Sequence, residues 1–302
     1  MTGGLGFIGS HLVKKLESEN WYVRMFDRPI FDVTQKEGWK VFLYGHCHPD
    51  IDYVFHLAGH LDNYEKQTEY SKYIDINVKS VALMFEVIAE KQLPIKKIIV
   101  ASSQSVYGEG FYELDVPKEE KEDDPLTPIS MYGASKAAME DILTTLGALH
   151  HIPVAALRYS IVLGAGQQYK DMDSRILPCF VEMAKMGEII THEDGKQLRD
   201  FVNVHDVVDA TFFAATLPNS DILNVGSGVA TSVLEVAEYI AQKFGASEYS
   251  KYINIKVTHS GEKRINTARN QIMNIDKIRN LGWQPRFTWK DAVDEYIKNE
   301  GL

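Results

Sequence analysis

Apolar residues recur along this chain at two alternating periods. Mainly apolar runs at Trp21–Phe26, Tyr53–Gly59, Ile98–Ser103 and Val154–Tyr159 are short and rich in β-branched and aromatic side chains, so they predict buried strands. Between them, Ile74, Val78, Val81, Ala82, Phe85 and Ile88 fall at helical spacing, predicting an amphipathic helix over Tyr73–Ala89. A second helix is predicted from Met131 to about His151. Lys40–Tyr44 reads as a further short strand, and the eight or so residues after it are too few for a crossover helix, which needs ~10–12. From about Ser160 the alternation loosens. Helices are predicted at Ile176–Lys185, His205–Ala215, Ser232–Phe244 and Trp289–Asn299, and strands at Ile189–Thr191, Asp200–Val204, Ile222–Val225 and Ile253–Val257. Ser232 and Glu235 have the spacing of a capping box. Glu109–Asp124 is acidic, holds Pro117 and lacks a period, so it reads as an exposed loop or a lid. The pattern is that of an α/β protein with a doubly wound parallel sheet in residues 1–160. A smaller α/β lobe occupies 161–302, with excursions back to the sheet around 200–225.

The first helix opens in a glycine turn. Gly3, Gly6 and Gly9 are spaced Gly-x-x-Gly-x-x-Gly, and Phe7, Ile8, Leu12, Val13 and Leu16 form the buried side of the helix. Such a turn lets backbone approach a pyrophosphate and packs the helix close to the sheet, with the positive end of the helix toward the phosphates. A glycine-rich loop without a ligand is the alternative. The strand-like Trp21–Phe26, ending in Asp27 about twenty residues on, favours the dinucleotide. A carboxylate there suits the ribose hydroxyls of NAD and repels the extra phosphate of NADP, although Arg28 beside it keeps NADP open. A buried strand normally precedes this turn, and the chain begins inside it. Its absence leaves a gap of roughly 9–10 Å at the sheet centre. Four or so missing apolar side chains, at ~1.5–3 kcal/mol each, rival a whole domain's ~5–15 kcal/mol. The expectation is an amino-terminally truncated chain, testable by whether it unfolds cooperatively at ordinary temperature and binds NAD tightly.

Composition narrows the partners. The 302 residues carry 32 Lys and Arg against 42 Asp and Glu, a formal net charge of -10, which as a whole repels nucleic acid and anionic membranes. A local basic pocket for a phosphorylated small molecule is compatible with that total. Cys47 and Cys179 have no disulfide-framework spacing, so a reducing cytoplasm is expected. His46-Cys47-His48 matches no usual zinc pattern and reads as a loop, and no metal is expected. No apolar run approaches ~18 residues and no signal-peptide pattern opens the chain.

The chemistry concentrates at the start of the second long helix. Tyr132 and Lys136, four apart, share one helix face. A free phenol titrates near ~10, and a cation ~4 Å away at an effective dielectric of ~20 is worth about 4 kcal/mol, or roughly three pKa units. The pair is therefore a proton-abstraction device if its surroundings agree. Ser102, Ser103, Gln104 and Ser105 lie at the carboxyl end of a predicted strand, the edge where open α/β sheets bind ligands. There Ser103 either caps a turn or works with Tyr132 on a substrate hydroxyl. Asn77 is either a surface residue or a second contact on the nicotinamide side.

Together, Thr2–Leu12, Phe55–Gly59, Ala101–Gly108, Tyr132–Glu140, Leu157–Tyr159, Gly195–Val204 and Asn224–Gly228 resemble the extended short-chain dehydrogenase/reductase family. The likeness is to its nucleotide-sugar epimerase/dehydratase group, of the UDP-glucose 4-epimerase kind. The resemblance implies a Rossmann-type fold, its first strand missing here, NAD as cofactor, a nucleotide-sugar substrate and a homodimer built on two helices from each subunit. It implies Ser103, Tyr132 and Lys136 as the catalytic set. Gly3, Gly6, Phe7, Ile8, Gly9, Asp27, Leu57, Ala58, Gly59, Asn77, Tyr132, Lys136 and Tyr159 would hold the cofactor. Ser103, Gln104, Arg199, His259 and Arg264 would hold the substrate. Sugar dehydratases of the group carry an acid just after the catalytic Ser or Thr; here Gln104 and Ser105 stand there, which disfavours dehydration. Ile161 and His259 replace an Asn and an Arg common in members that bind UDP-sugars, which leaves the base and sugar open. The implied activity is a C4 epimerase working through a 4-keto sugar; a ketoreductase and a silent NAD-binding fragment are the alternatives.

Overall fold

A computed structural model describes residues 1–28, 31–44, 51–61, 69–108, 118–169, 175–245, 255–262 and 269–301. Four strands, Tyr53–His56, Lys97–Ser103, Val154–Tyr159 and Asp221–Val225, pair in that spatial order into a wholly parallel sheet. Successive residues of a strand face opposite sides. Ile99 accordingly joins Leu12, Leu16, Val204, Val207 and Leu223 on one face, while Ile98 and Val100 join Trp39, Phe85, Met139 and Leu143 on the other. Helices therefore cover both faces, and the middle of each strand is mainly apolar because both sides pack against them. This is the doubly wound, Rossmann-type architecture expected.

Beyond Tyr53–His56 the sheet is continued by the first two residues. Thr2 bridges Phe26 on one side and His56 on the other. Thr2 N donates to Phe55 O at 2.9 Å, Leu57 N to Thr2 O at 3.1 Å, and Phe26 N to Met1 O at 2.7 Å. The expected Trp21–Phe26 strand is realised only as the bridge at Phe26, since Met1 and Thr2 offer two residues of backbone to pair with. Trp21 instead packs its ring against Tyr53, Phe55 and Phe212.

Three expectations are corrected. Lys40–Tyr44 belongs to a helix, Lys36–Tyr44, in which Trp39, Phe42 and Leu43 are buried at helical spacing while Val41 is 54% exposed. That helix is itself the crossover, so the residues after Tyr44 need not supply one. The Tyr73–Ala89 helix is three segments: Tyr70–Tyr73, a π-helical turn Ile74–Lys79, and Ser80–Lys91. The wider turn rotates the face, leaving Ile74 47% exposed and turning Asn77 inward. Within the acidic stretch, Glu119–Glu120 forms a strand against Asn270–Met273, and Glu120 is buried rather than exposed; residues 109–117 lie outside the described ones, as do His46, Cys47 and His48.

The second half keeps close to its expected elements. Ile176–Lys185 and Trp289–Asn299 have the expected bounds, Val204–Thr216 and Val233–Gly245 differ by a residue or so, and Ser232 and Glu235 form their capping box. Strands Ile161–Leu163, Ala230–Ser232 and Asn270–Met273 and the helix Asp276–Asn280 are additions, each too short to show a period. The Lys256–His259 strand lies a few residues beyond the Ile253–Val257 expectation, of which 253 and 254 are not described. Leu198–Asn203 is the hub here, pairing with Ile161–Leu163 and Asn270–Met273 in parallel and with Ala230–Ser232 antiparallel.

Glu120 makes a pH prediction. Neither carboxyl oxygen has a hydrogen-bond partner among the described residues, and burial, with Asp124 adding, raises its pKa to about 8. The folded chain then holds a proton that the unfolded chain has released, so stability falls as pH rises from about 4.5 to about 8. Glu120→Gln removes that loss. Its denaturation free energy is expected to exceed the parent's at pH 8.5 by a few kcal/mol, at ~1.4 kcal/mol per unit, with little difference at pH 5. A constant difference across that range counts against a buried neutral carboxyl.

Candidate active site

The carboxyl ends of the parallel strands open into one cavity of about 820 Å³. Its first wall is the glycine turn. Gly3 has φ +71°, and a β-carbon there would lie 2.7 Å from Ala58 N; one on Gly9 would lie 1.9 Å from Gly3 O. Both contacts are with backbone that cannot swing away, so the turn closes on the end of the Tyr53–His56 strand and the helix closes on the turn. Helix Phe7–Ser18 begins with Gly6 at its N-cap, has no side-chain cap and no acid in its first turn, and points its amino end at the cavity. That is a cradle for a diphosphate. Asp27 lines the same wall and accepts from Leu5 N at 3.3 Å, while the guanidinium of Arg28 is engaged by Asp32 at 2.9 Å. The residues present thus fit a dinucleotide with free ribose hydroxyls.

The second wall is the start of helix Met131–His150. Ser130 caps it, its Oγ accepting from Gly133 N at 3.0 Å, which sets the register of Tyr132 and Lys136. A β-carbon on Gly133 would fall 2.3 Å from Ser105 O, so this helix start lies directly against the turn after Ser103. Tyr132 and Ser103 both line the cavity, as does Tyr159, paired in register with Ser103. Ser103 Oγ accepts from Ser105 N at 3.2 Å and donates to Ser105 Oγ at 3.1 Å. Lys136 lies 5.9 Å from the Tyr132 ring centroid and donates to Ala101 O at 2.7 Å. Burial lowers its pKa to about 8, against a pull upward from Glu140.

Behind this pair, Asn77 acts as a staple. Its Oδ1 accepts from His60 N at 2.7 Å, and its Nδ2 donates to His60 O at 3.1 Å and to Ser135 Oγ at 2.9 Å. It ties the segment after the Tyr53–His56 strand to the Tyr132 helix, which excludes a place on the surface. Gly59 stands over both groups: a β-carbon there would meet Lys136 Nζ at 3.3 Å and Asn77 Oδ1 at 3.4 Å. Lys136 and Asn77 thus sit under the floor of the cavity and do not line it.

Gly3, Gly6, Phe7, Ile8, Gly9, Asp27, Leu57, Ala58, Gly59, Ser103, Gln104, Tyr132, Tyr159 and Arg199 all line the cavity, from stretches scattered over the chain. Arg199 is buried, its Nη1 donating to Leu198 O at 2.8 Å and Arg269 O at 2.6 Å. His259 is not among the lining residues; it sits exposed at the end of its strand with Nδ1 2.6 Å from Thr191 Oγ1. Arg264 lies outside the described residues.

Two features of the site are not carried by the motifs. One is a buried network beneath Lys136: Glu140 pairs with Arg158 at 2.7 Å and accepts from Ser102 Oγ, while Arg158 donates to Tyr107 OH, which donates to Asn224. Its signal is in the sequence, since Glu140 comes after Lys136 by the same four residues that separate Lys136 from Tyr132. The other is Arg175, which lines the cavity near Tyr132 and belongs to no sequence motif. Among the described residues no group of three or more His, Cys, Asp or Glu side chains is placed to hold a metal, and no helix is long and apolar enough to cross a membrane.

The chain is similar along nearly its whole length to known proteins. The dTDP-L-rhamnose 4-epimerase of Burkholderia thailandensis is 28% identical, over 98% of this chain and 92% of that protein. The UDP-glucose 4-epimerase of Lacticaseibacillus casei is 29% identical, over 99% and 94%. Among solved structures, MoeE5 in complex with UDP-glucuronic acid and NAD superposes with a TM-score of 0.84 at 28% identity, over 99% of this chain and 97% of that one. Residues 1–226, which hold the glycine cradle, Ser103, Tyr132, Lys136 and Arg199, match the model of the NAD dependent epimerase/dehydratase family; this chain belongs to that family and its cofactor is NAD.

Proposed function

We propose that the protein is a nucleotide-sugar epimerase acting at C4 through a transient 4-keto sugar. Residues 1–160 hold the cofactor, and 161–302 mainly hold the substrate. NAD, when bound along the glycine turn, would supply a reversible hydride acceptor. Tyr132 takes the proton of the C4 hydroxyl, and Ser103 Oγ hydrogen-bonds the same oxygen. Lys136, held over Ala101 O, supplies the positive charge that makes the phenol a competent base. Asn77 keeps the floor of the site closed against Lys136. Arg199 serves the substrate's diphosphate. When the keto sugar has turned, Tyr132 returns the proton to the new hydroxyl.

The observation that carries epimerisation over dehydration is the pair of residues after Ser103. Elimination of water needs an acid beside the sugar, and Gln104 and Ser105 cannot supply one near neutral pH. The relatives from Burkholderia thailandensis and Lacticaseibacillus casei are themselves 4-epimerases. We place the enzyme in a reducing cytoplasm as a homodimer, paired through the outer faces of Ser80–Lys91 and Met131–His150, where Leu149 is 66% exposed.

The test is incubation of the NAD-loaded protein with UDP-, dTDP-, GDP- and CDP-sugars, with separation of the products. Interconversion of two sugar nucleotides, with no net change in nicotinamide absorbance, is expected. Stoichiometric consumption of NADPH would make it a reductase, and a dehydrated keto sugar would make it a dehydratase.

A further inference from the structure

Arg175 is used neither by the fold nor by the proton transfer proposed above. It occupies the N-cap of helix Ile176–Lys185, and its side chain makes no cap. That helix turns Ile176, Cys179, Phe180 and Met183 toward the cavity, so one face of it is an apolar wall with Arg175 at its head. The other arginines among the described residues are all engaged: Arg158 by Glu140, Arg199 by two carbonyls, Arg269 by Glu193, Arg28 by Asp32, and Arg24, Arg279 and Arg286 likewise. Arg175 has no hydrogen-bond or ion-pair partner among those residues. The acids that line the cavity do not serve it, since Asp27 accepts from Leu5 N and Glu193 pairs with Arg269.

The site of this cation is specific. Arg175 is exposed at the cavity, so its guanidinium is open to an incoming ligand, and its surroundings hold it below its ordinary pKa. Tyr132, which lines the same cavity, pulls it back up. A cation that lines a cavity without a counter-charge of its own gains from an arriving one. The planar fork of a guanidinium fits the two oxygens of a carboxylate or phosphate. Every nucleotide sugar carries phosphate, so phosphate alone would select nothing. A carboxylate at C6, attached to C5, is the anion that only some nucleotide sugars bring into the cavity that Arg175 shares with Tyr132.

We propose that Arg175 selects a nucleotide-linked uronic acid, pairing with the sugar carboxylate while Tyr132 acts on the adjacent C4 hydroxyl. This rests on the reading that C4 meets Tyr132. The experiment compares UDP-glucuronate with UDP-glucose, and the corresponding dTDP pair, on the NAD-loaded parent, Arg175→Gln and Arg175→Lys. The parent is expected to favour the uronate about 10–100-fold in kcat/KM. Arg175→Gln should erase that preference through KM for the uronate, and Arg175→Lys should recover part of it. Equal loss on both sugars assigns Arg175 to the diphosphate and overturns the proposal. So does a parent without preference, a ratio that needs no variant to fold. If neither sugar turns over, the epimerase reading fails, and the same ratio, read as Kd by calorimetry, still decides for or against a carboxylate site.

Discussion

Replacing Tyr132 with phenylalanine is expected to lower kcat about 10²–10⁴-fold, the range for a positioned acid or base, while NAD affinity and melting temperature stay close to the parent's. The substitution removes one oxygen at the cavity wall and leaves the ring, the Ser130 cap and the Lys136–Ala101 hydrogen bond in place. Lys136→Met should act on the same step by another route. A cation 5.9 Å from the ring centroid, at an effective dielectric of ~20, is worth about 3 kcal/mol, so the rise of kcat with pH should move up by about two units. Raising the pH should then rescue Lys136→Met and leave Tyr132→Phe inactive. A Tyr132→Phe enzyme within tenfold of the parent would remove the phenol from the mechanism.

The second large effect is on stability. Glu140 and Arg158 are paired at 2.7 Å with side chains 2% and 3% exposed, and Ser102 and Tyr107 complete their hydrogen bonds. Removing one partner strands the other's charge in the core, and Glu140→Ala is expected to lose about 3–5 kcal/mol in urea denaturation. Against a typical ~5–15 kcal/mol that is a third of the total or more. Glu140→Leu with Arg158→Met removes both charges together and should recover most of the loss. The double variant also tests what the pair does for Lys136, whose pKa Glu140 holds up. If the double variant is as unstable as the single one, the network contributes through shape rather than charge. The two measurements separate chemistry from scaffold along a single helix: Tyr132 and Lys136 meet the cavity and its floor, and Glu140, one turn further, meets the core.

Much of the site is legible in the sequence because its geometry is local. The four-residue spacing of Tyr132 and Lys136, the Gly3–Gly6–Gly9 turn and the apolar runs at Ile98–Ser103 and Val154–Tyr159 each depend on backbone regularity that a few neighbouring residues enforce. Helix bounds at Ile176–Lys185 and Trp289–Asn299 agree with the pattern for the same reason. Lys36–Tyr44 resists it because five of its residues, taken alone, do not distinguish a strand from a helix; Trp39, at the spacing that decides, lies just outside that window.

By itself, then, the amino-acid order determined the alternation of strands and helices, the glycine turn with an acid about twenty residues on at Asp27, and the tyrosine–lysine pair on one helix face, because each follows from regular spacing along the chain. Only the tertiary structure decided which distant groups share an environment. It brought the Ser103 strand end against Gly133, turned Asn77 inward through a π turn, buried the Glu120 carboxyl without a hydrogen-bond partner among the described residues and set Arg175 and Tyr132 in the wall of one cavity. Desolvation and pairing are properties of the packed surroundings, and segments far apart in the chain supply those surroundings.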